Sequence, residues 1–383
     1  MATTASIKTA TAGLEDVVIG PSEITDVNGQ AGQLIYRGYD IHDLVAHTSF
    51  AEVVYLLWRG SLPTRSELDA LQQDINKQYD LPPDVIGMLR QCPKDAEPMA
   101  VLRTAVSRLS FYDPEPKAKV DDPDVNRRRA TRLLAKLPAI VGAWQRIRNG
   151  QEPVQADPSL SFAANVLYML SGKRPDDRAE HAFNMALILH ADHELNASTF
   201  SARVTAATLA DMYSAIVSAI GTLSGPLHGG ANTAVMRMLL QIKESGESPK
   251  QWIERALGEK RKIMGFGHRV YKTEDPRATH LRRMSEELGK RYGQPEWFQM
   301  SQEIEQAVKA DKGLNANVDF YSASTYYVMG IPIDLYTPLF ACSRVSGWTA
   351  HVLEQYAHNR LIRPRAEYVG PRGLKVVPID QRT

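Results

Sequence analysis

The sequence predicts an all-α fold of two unequal parts, and three observations carry that expectation. Apolar residues recur at helical spacing over most of the chain. Helix-start signals, a Ser, Thr or Asp followed by Pro or by Glu/Gln three residues on, recur from Thr64 to Thr337. Runs of the kind that build parallel sheets are missing. The 383 residues suit two domains, or one large domain with a lobe, and can bury a large core.

Residues 32–40 are the best strand candidate near the N-terminus. Residues 50–59 then read as a compact apolar helix closed by Gly60. Thr64 and Glu67 form a capping box for a helix carrying Leu68, Leu71, Ile75 and Tyr79. Residues 113–124, rich in Pro, Asp and Lys, are surface loop. A long amphipathic helix follows, with Leu133, Leu134, Leu137, Ile140, Val141, Trp144 and Ile147 on one stripe. Pro138 predicts a kink in it, and Asn149-Gly150 its end.

Further helices are expected over 160–170, ending at Gly172, and from Asp176 through Phe183 and Leu187 to His190 and His193. The Ala-rich stretch 198–220 reads as a buried helix, since small side chains let helices approach closely. Ser248-Pro249, Asp275-Pro276 and Thr337-Pro338 each mark a helix start, the last helix running to about Asn359. The tail holds strand-like pieces, 374–377 among them.

Composition narrows the function classes. A content of 43% hydrophobic and 23% charged residues is ordinary for a globular protein, and a net charge of +1 argues against nucleic acid or an anionic membrane as a bulk partner. No run of about 18 apolar residues predicts a membrane span. Residues 1–13 lack an apolar signal core, and Cys92 and Cys342 suit a reducing compartment. A cytoplasmic protein with a frayed start is expected.

The chemistry concentrates between Leu223 and Ser324. Three Gly- or Pro-broken turns each present a His or an Asp: 225–232 with His228, 264–269 with His268, and 317–322 with Asp319. Two histidines and a carboxylate on separate loops suggest an acid/base site. His228, read as lying at a helix start, would be neutral and able to donate to a developing enolate oxygen. Gly265 and Gly267 let backbone approach a ligand, but the motif is neither a dinucleotide fingerprint nor a phosphate-binding P-loop. Asp319, between Val318 and Phe320, reads equally as a helix cap and as a desolvated base. Arg277 at the start of the Asp275-Pro276 helix, together with that helix's amides, would suit a carboxylate. Arg344, in an apolar stretch, requires an anionic partner. His190, Asp192 and His193 invite a metal reading, but no third ligand motif accompanies the two histidines, and no metal is expected.

These motifs together resemble the citrate synthase family. The match includes Gly-Pro-Leu-His-Gly-Gly-Ala-Asn, Gly-Phe-Gly-His-Arg-Val-Tyr with Asp-Pro-Arg, Asn-Val-Asp-Phe-Tyr-Ser, Ala-Asp-His-Glu-Leu-Asn-Ala-Ser-Thr, Cys-Ser-Arg-Val-Ser-Gly-Trp and the early Gly-Gln-Leu-Ile-Tyr-Arg-Gly-Tyr. The motifs run in family order from about residue 32 to residue 370. Any single one is weak, whereas the ordered set is highly specific.

The resemblance implies an all-helical homodimer, with higher assembly left open. It places a large domain at 1–223 and 325–383 and a small closing domain at 224–324. It implies the condensation of acetyl-CoA with oxaloacetate and hydrolysis of citryl-CoA, with acetyl-CoA a co-substrate and no permanently bound cofactor. The alternative it carries is 2-methylcitrate synthase, which uses propionyl-CoA. By the matched motifs, His228, His268 and Asp319 are catalytic. His193, Arg277, Arg344 and Arg363 hold carboxylates, Arg363 in the neighbouring subunit's site, and His190 and Asn317 support them. Lys262, Ile263, Met264, Gly265 and Gly267 correspond to the backbone that holds the CoA adenine. The short form and the His-Gly-Gly turn resemble a prokaryotic branch, for which no NADH site is expected.

Overall fold

Helix α16 (Tyr336–Ala357) forms the axis of the molecule, and every residue from Tyr336 to Val352 is buried. A helix enclosed on all sides must satisfy its polar side chains internally. Ser343 Oγ accordingly donates to Leu187 O at 2.5 Å, and Thr349 Oγ1 donates to Val345 O at 2.7 Å. The computed structural model describes residues 11–14, 17–268 and 270–382. Most of the expected frayed start lies outside the described residues.

Around α16 pack α2 (Phe50–Arg59), α5 (Pro98–Leu109), α6 (Pro123–Arg148), α8 (Asp177–His190), α9 (Ala197–Ala207) and α10 (Met212–Leu223). Outside these lie α1 (Ile41–His47), α3 (Arg65–Asn76), α4 (Pro83–Gln91) and α7 (Phe162–Ser171). The local signals explain many ends. The Thr64–Glu67 capping box opens α3, while Gly60 (φ 85°) and Gly172 (φ 75°) close α2 and α7 in the left-handed conformation. Tyr79 lies beyond the end of α3 but is still buried.

Several expectations change. Helix α6 continues through Pro138, and from Leu133 to Trp144 it is buried all round rather than along one stripe. Its polar residues reach partners from inside the core: Arg132 donates to Tyr213 Oη at 2.9 Å, and Lys136 Nζ donates to Asp80 O. The Ala-rich stretch is two packed helices, α9 and α10, because Leu209 turns left-handed (φ 62°) and Asp211 caps a new start by accepting from Ser214 N. Thr337 does not cap α16, and its hydroxyl donates to Gly229 O instead. Residues 374–377 form no strand, and Leu374 and Val376 are exposed.

Residues 32–40 form two strands rather than one. The sheet is antiparallel, in the order β1 (Thr25–Asn28), β2 (Gln33–Tyr36), β3 (Tyr39–Asp40), with Thr25 opposite Tyr36. Arg37 and Gly38, both at positive φ, make the β2–β3 turn.

The remaining helices, α11 (Ala231–Ser245), α12 (Pro249–Gly258), α13 (Pro276–Arg291), α14 (Glu296–Lys312) and α15 (Val318–Val328), pack chiefly against one another. Residue 324 falls inside α15, which ends at Val328. Among the described residues no helix is long and apolar enough to cross a membrane.

Candidate active site

Segments from both groups of helices enclose one open cavity of about 1390 Å³. A single drug-sized ligand needs roughly 300–1,000 Å³, so the cavity has room for two substrates. His193, His228, His268, Arg277, Asp319 and Arg344 all line it, and so do Lys262, Met264, Gly265, Gly267 and Asn317. His190, Ile263 and Arg363 are not among its lining residues.

His228 lies three positions before α11, yet the helix start that acts on it is that of α9. Ser198 N, in the first turn of α9, donates to His228 Nε2 at 3.3 Å. Ser198 Oγ stands 2.8 Å from the same nitrogen and accepts from Trp348 Nε1 at 3.1 Å. A backbone N–H can only donate, so Nε2 carries the lone pair and the ring proton sits on Nδ1. Burial first, then the Arg344 charge, pushes the His228 pKa down to about 4. The ring is a neutral Nδ1–H donor.

His268 is the mirror case. Val270 N and Tyr271 N donate to its Nδ1 at 3.0 and 3.1 Å, which leaves the proton on Nε2. Burial, followed by Arg277, lowers its pKa to about 4. Neither His228 Nδ1 nor His268 Nε2 has a hydrogen-bond partner among the described residues, and neither is a sealed-off atom. Both donors are open to the cavity.

Asp319 follows the helix cap rather than being it. Asn317 is the cap of α15 and accepts from Asp319 N at 3.0 Å. The Asp319 side chain is therefore free for chemistry, and its carboxylate accepts no hydrogen bond from the described residues. Burial raises its pKa to about 6, with Asp275 adding to the rise while Arg277 and Arg344 oppose it. A base titrating near 6 is ionised at neutral pH yet still basic enough to accept a proton.

The two arginines are set differently. Arg277 is clamped by Asp275, Nε to Oδ1 at 2.9 Å and Nη2 to Oδ2 at 2.8 Å. Burial works against its charge, but Asp275 more than offsets this and holds its pKa above the usual value. Asp275 also caps α13 and accepts from Val318 N at 3.2 Å. That staple joins the starts of α13 and α15, which carry Arg277 and Asp319. The α13 amides expected to bind a ligand are thus occupied by Asp275.

Arg344 is 1% exposed and makes no ion pair among the described residues. Its Nε donates to His190 O at 2.7 Å, and its guanidinium lies 4.6 Å from the Phe340 ring centroid. Burial lowers its pKa to about 10, although Asp192 opposes the shift. A buried guanidinium short of an anion is a site prepared for one.

Helix α8 ends at His190, so His190 and His193 do not share a helix face. His190 Nδ1 contacts Ala186 O at 2.7 Å, its Nε2 is buried without a partner among the described residues, and its carbonyl accepts from Arg344 Nε. Asp192 turns away to Thr25 Oγ1 (2.6 Å) and His351 Nε2 (3.2 Å). Gly347 of α16 permits this fit, since a Cβ there would lie 2.2 Å from Asp192 Oδ1. Among the described residues no three His, Cys, Asp or Glu side chains could hold a metal ion.

Residues 265–267 are strapped to the start of α15. Asn317 N donates to Gly265 O at 2.9 Å, and Asn317 Nδ2 to Gly267 O at 3.0 Å. Gly265 needs to be glycine: its φ is 83°, and a Cβ would meet Phe320 and Val235 atoms at 2.8 Å. Ile263 points into the core. Arg363 sits in the exposed tail. Ser198 and Asp275 support the site without having been read as functional. Asp275-Pro276 signalled a helix start, whereas the Asn196 cap of α9 was not read as one, and what each cap's helix touches across the fold is not local information.

The family profile "Citrate synthase, C-terminal domain" matches residues 13–365. A citrate synthase of Haloferax volcanii is 53% identical over 97% of this chain and 98% of its own length. "Citrate synthase 2" of Bacillus subtilis is 52% identical over 98% and 100%. A citrate synthase from the thermophilic archaeon Thermoplasma acidophilum, solved in ternary complex with carboxymethyl coenzyme A and oxaloacetate, superposes with a TM-score of 0.91. It is 37% identical, covering 98% of this chain and 100% of that one. With its sequence and its fold matching over nearly the whole length, the chain belongs to the citrate synthase family.

Proposed function

We propose that this cavity condenses acetyl-CoA with oxaloacetate and hydrolyses the resulting citryl-CoA to citrate and CoA, the step that feeds the tricarboxylic acid cycle. The observation that carries the proposal is the pair of neutral histidines, locked in opposite tautomers, lining one cavity with a carboxylate raised to about 6.

The α-proton of a thioester is far too weakly acidic for a carboxylate in water, so charge must be met by fixed donors where it develops. Asp319 takes a proton from the acetyl methyl group while His228 Nδ1–H bonds the thioester oxygen as it becomes enolic. The nucleophilic carbon then adds to the ketone of oxaloacetate. His268 Nε2–H bonds the ketone oxygen as that oxygen gains charge. Water cleaves the citryl thioester and releases CoA.

Arg277, Arg344 and His193 bind the oxaloacetate carboxylates, with Asn317 and the carbonyl of His190 as support. The 262–267 segment holds the CoA adenine, and no cofactor is permanently bound. Helices α11–α15 act as the small domain that closes over both substrates and delays hydrolysis until condensation is complete. Arg363 serves the site of a second copy in a homodimer. Supporting this, Arg363 is exposed on a tail whose Leu374, Val376 and Ile379 side chains are exposed too, a surface that a partner would cover. The enzyme works in the cytoplasm.

The test is thiol release on mixing the protein with acetyl-CoA, with and without oxaloacetate. Release that depends on oxaloacetate and yields citrate supports the proposal, and no release from a folded protein overturns it. Propionyl-CoA run alongside decides the acyl preference, since one methylene is worth only about 1–3 kcal/mol in a pocket.

A further inference from the structure

Tyr271 follows His268 in the loop between α12 and α13, and it is buried although it is not among the cavity's lining residues. Three contacts single it out. Its ring centroid lies 4.7 Å from that of His268 and 5.5 Å from that of His193, and the two imidazoles are 5.2 Å apart. The three rings thus close a triangle. Its hydroxyl lies 3.3 Å from His193 Nε2, the one described side-chain partner of that nitrogen. Its guanidinium neighbour is Arg277, 5.9 Å from the ring centroid.

The loop that carries Tyr271 is anchored on both sides. Lys272 N donates to Gly29 O in the β1–β2 turn at 2.9 Å, and Asp275 fixes the far end through α13 and α15. Tyr271 therefore has little freedom of its own. His193 needs such a brace. It stands in the short segment between α8 and α9, beside Glu194, whose backbone is left-handed at φ 51°. A hydroxyl is suited to the task because it can donate to an imidazole lone pair or accept from an imidazole N–H by rotating.

We infer that Tyr271 is a positioning residue for the ketoacid half of the site. Its hydroxyl holds the His193 ring for the substrate carboxylate, and its ring braces His268 for the ketone. The inference rests on the citrate synthase reading of the cavity. It divides the side chain into two separable functions: the hydroxyl acts on oxaloacetate binding, and the ring acts on the chemical step as well.

Two variants of the full-length protein separate them. Tyr271→Phe keeps the ring and loses one hydrogen bond. The Kd for oxaloacetate, measured by calorimetry, and its KM should both rise roughly threefold to tenfold. The KM for acetyl-CoA and kcat should stay within about twofold of wild type. Tyr271→Leu also frees His268, and kcat should fall about tenfold or more. A Tyr271→Phe enzyme with unchanged oxaloacetate Kd and KM would overturn the inference. So would one in which both KM values and kcat shift together with a lowered Tm, because that pattern marks a general packing defect. Wild-type protein that releases no thiol with oxaloacetate would instead sink the citrate synthase reading itself, which keeps the two failures apart.

Discussion

His228 and His268 are held by backbone N–H groups at opposite ring nitrogens, Nε2 in the first and Nδ1 in the second. One fixed set of main-chain donors therefore leaves two different imidazole N–H groups open to the same cavity. In the proposed mechanism each replaces water as a donor at a point where charge develops, and neither has to reorganise. Replacing either with Ala should lower kcat by roughly 10²–10³, the usual effect of deleting one such donor, with the Tm little changed. Steady-state kinetics together with thermal melts check this, and a loss below tenfold would mean that the ring is not aimed at developing charge.

Asp319 should set the acid limb of the rate. His228 and His268 are neutral down to about pH 4, whereas Asp319 titrates near 6. The pH profile of kcat/KM for acetyl-CoA should rise through a single ionisation near 6 and show no separate histidine ionisation between 5 and 8. The Asp319→Asn enzyme should retain only a trace of activity, without that limb.

The same shift has a consequence for stability. A carboxyl raised from 3.8 to about 6 binds its proton more tightly when folded. The stability it contributes is complete below pH 3.8 and is lost as pH rises through 6, an effect of about 3 kcal/mol. Asn mimics the neutral acid. Asp319→Asn should therefore be more stable than wild type at pH 8, and the difference should vanish below about pH 4. Chemical denaturation at the two pH values measures it.

Arg344 should show the same exchange of function for stability. It is a buried charge with no ion-pair partner among the described residues, so Arg344→Met removes a charge that only an anionic ligand satisfies. The variant should melt at the same temperature as wild type or higher. Oxaloacetate should raise the wild-type Tm by mass action and leave that of Arg344→Met unmoved. A ligand-induced shift that survives in the variant would remove Arg344 from the carboxylate site.

Arg363 calls for a mixing experiment. Chains carrying Arg363→Ala and chains carrying Asp319→Asn should each form inactive dimers. If Arg363 acts in the partner's site, mixed dimers combine one intact Asp319 with one intact Arg363 in the same site. Activity should return on co-refolding. Its failure to return, with mixed dimers present, would put Arg363 outside the partner's site.

Much of this was legible in the chain because its signals are local. Thr64 with Glu67, Gly60, Gly172 and Asp275-Pro276 fix helix ends through contacts a few residues away, and the structure keeps each of them. The Gly- and Pro-broken turns likewise displayed His228, His268 and Asp319. What was illegible depends on contacts across the fold. Ser198 acts on His228 from another helix, and Asp275 reaches Val318 across the sequence. The periodicity of 198–220 runs straight across the break at Leu209, where one left-handed residue splits the stretch into α9 and α10. Helix α6 looked amphipathic because Arg132 and Lys136 carry charge, yet both are buried with their ends bonded.

The most direct measurement is exchange of the acetyl-CoA methyl protons with solvent deuterium, followed by NMR in the presence of a dicarboxylate that fills the oxaloacetate position without reacting. Wild type should exchange them. Asp319→Asn should abolish the exchange and His228→Ala should slow it strongly, while His268→Ala, which acts on the absent ketone, should leave most of it. Exchange that survives in Asp319→Asn would contradict Asp319 as the base and require the proton to leave by another group.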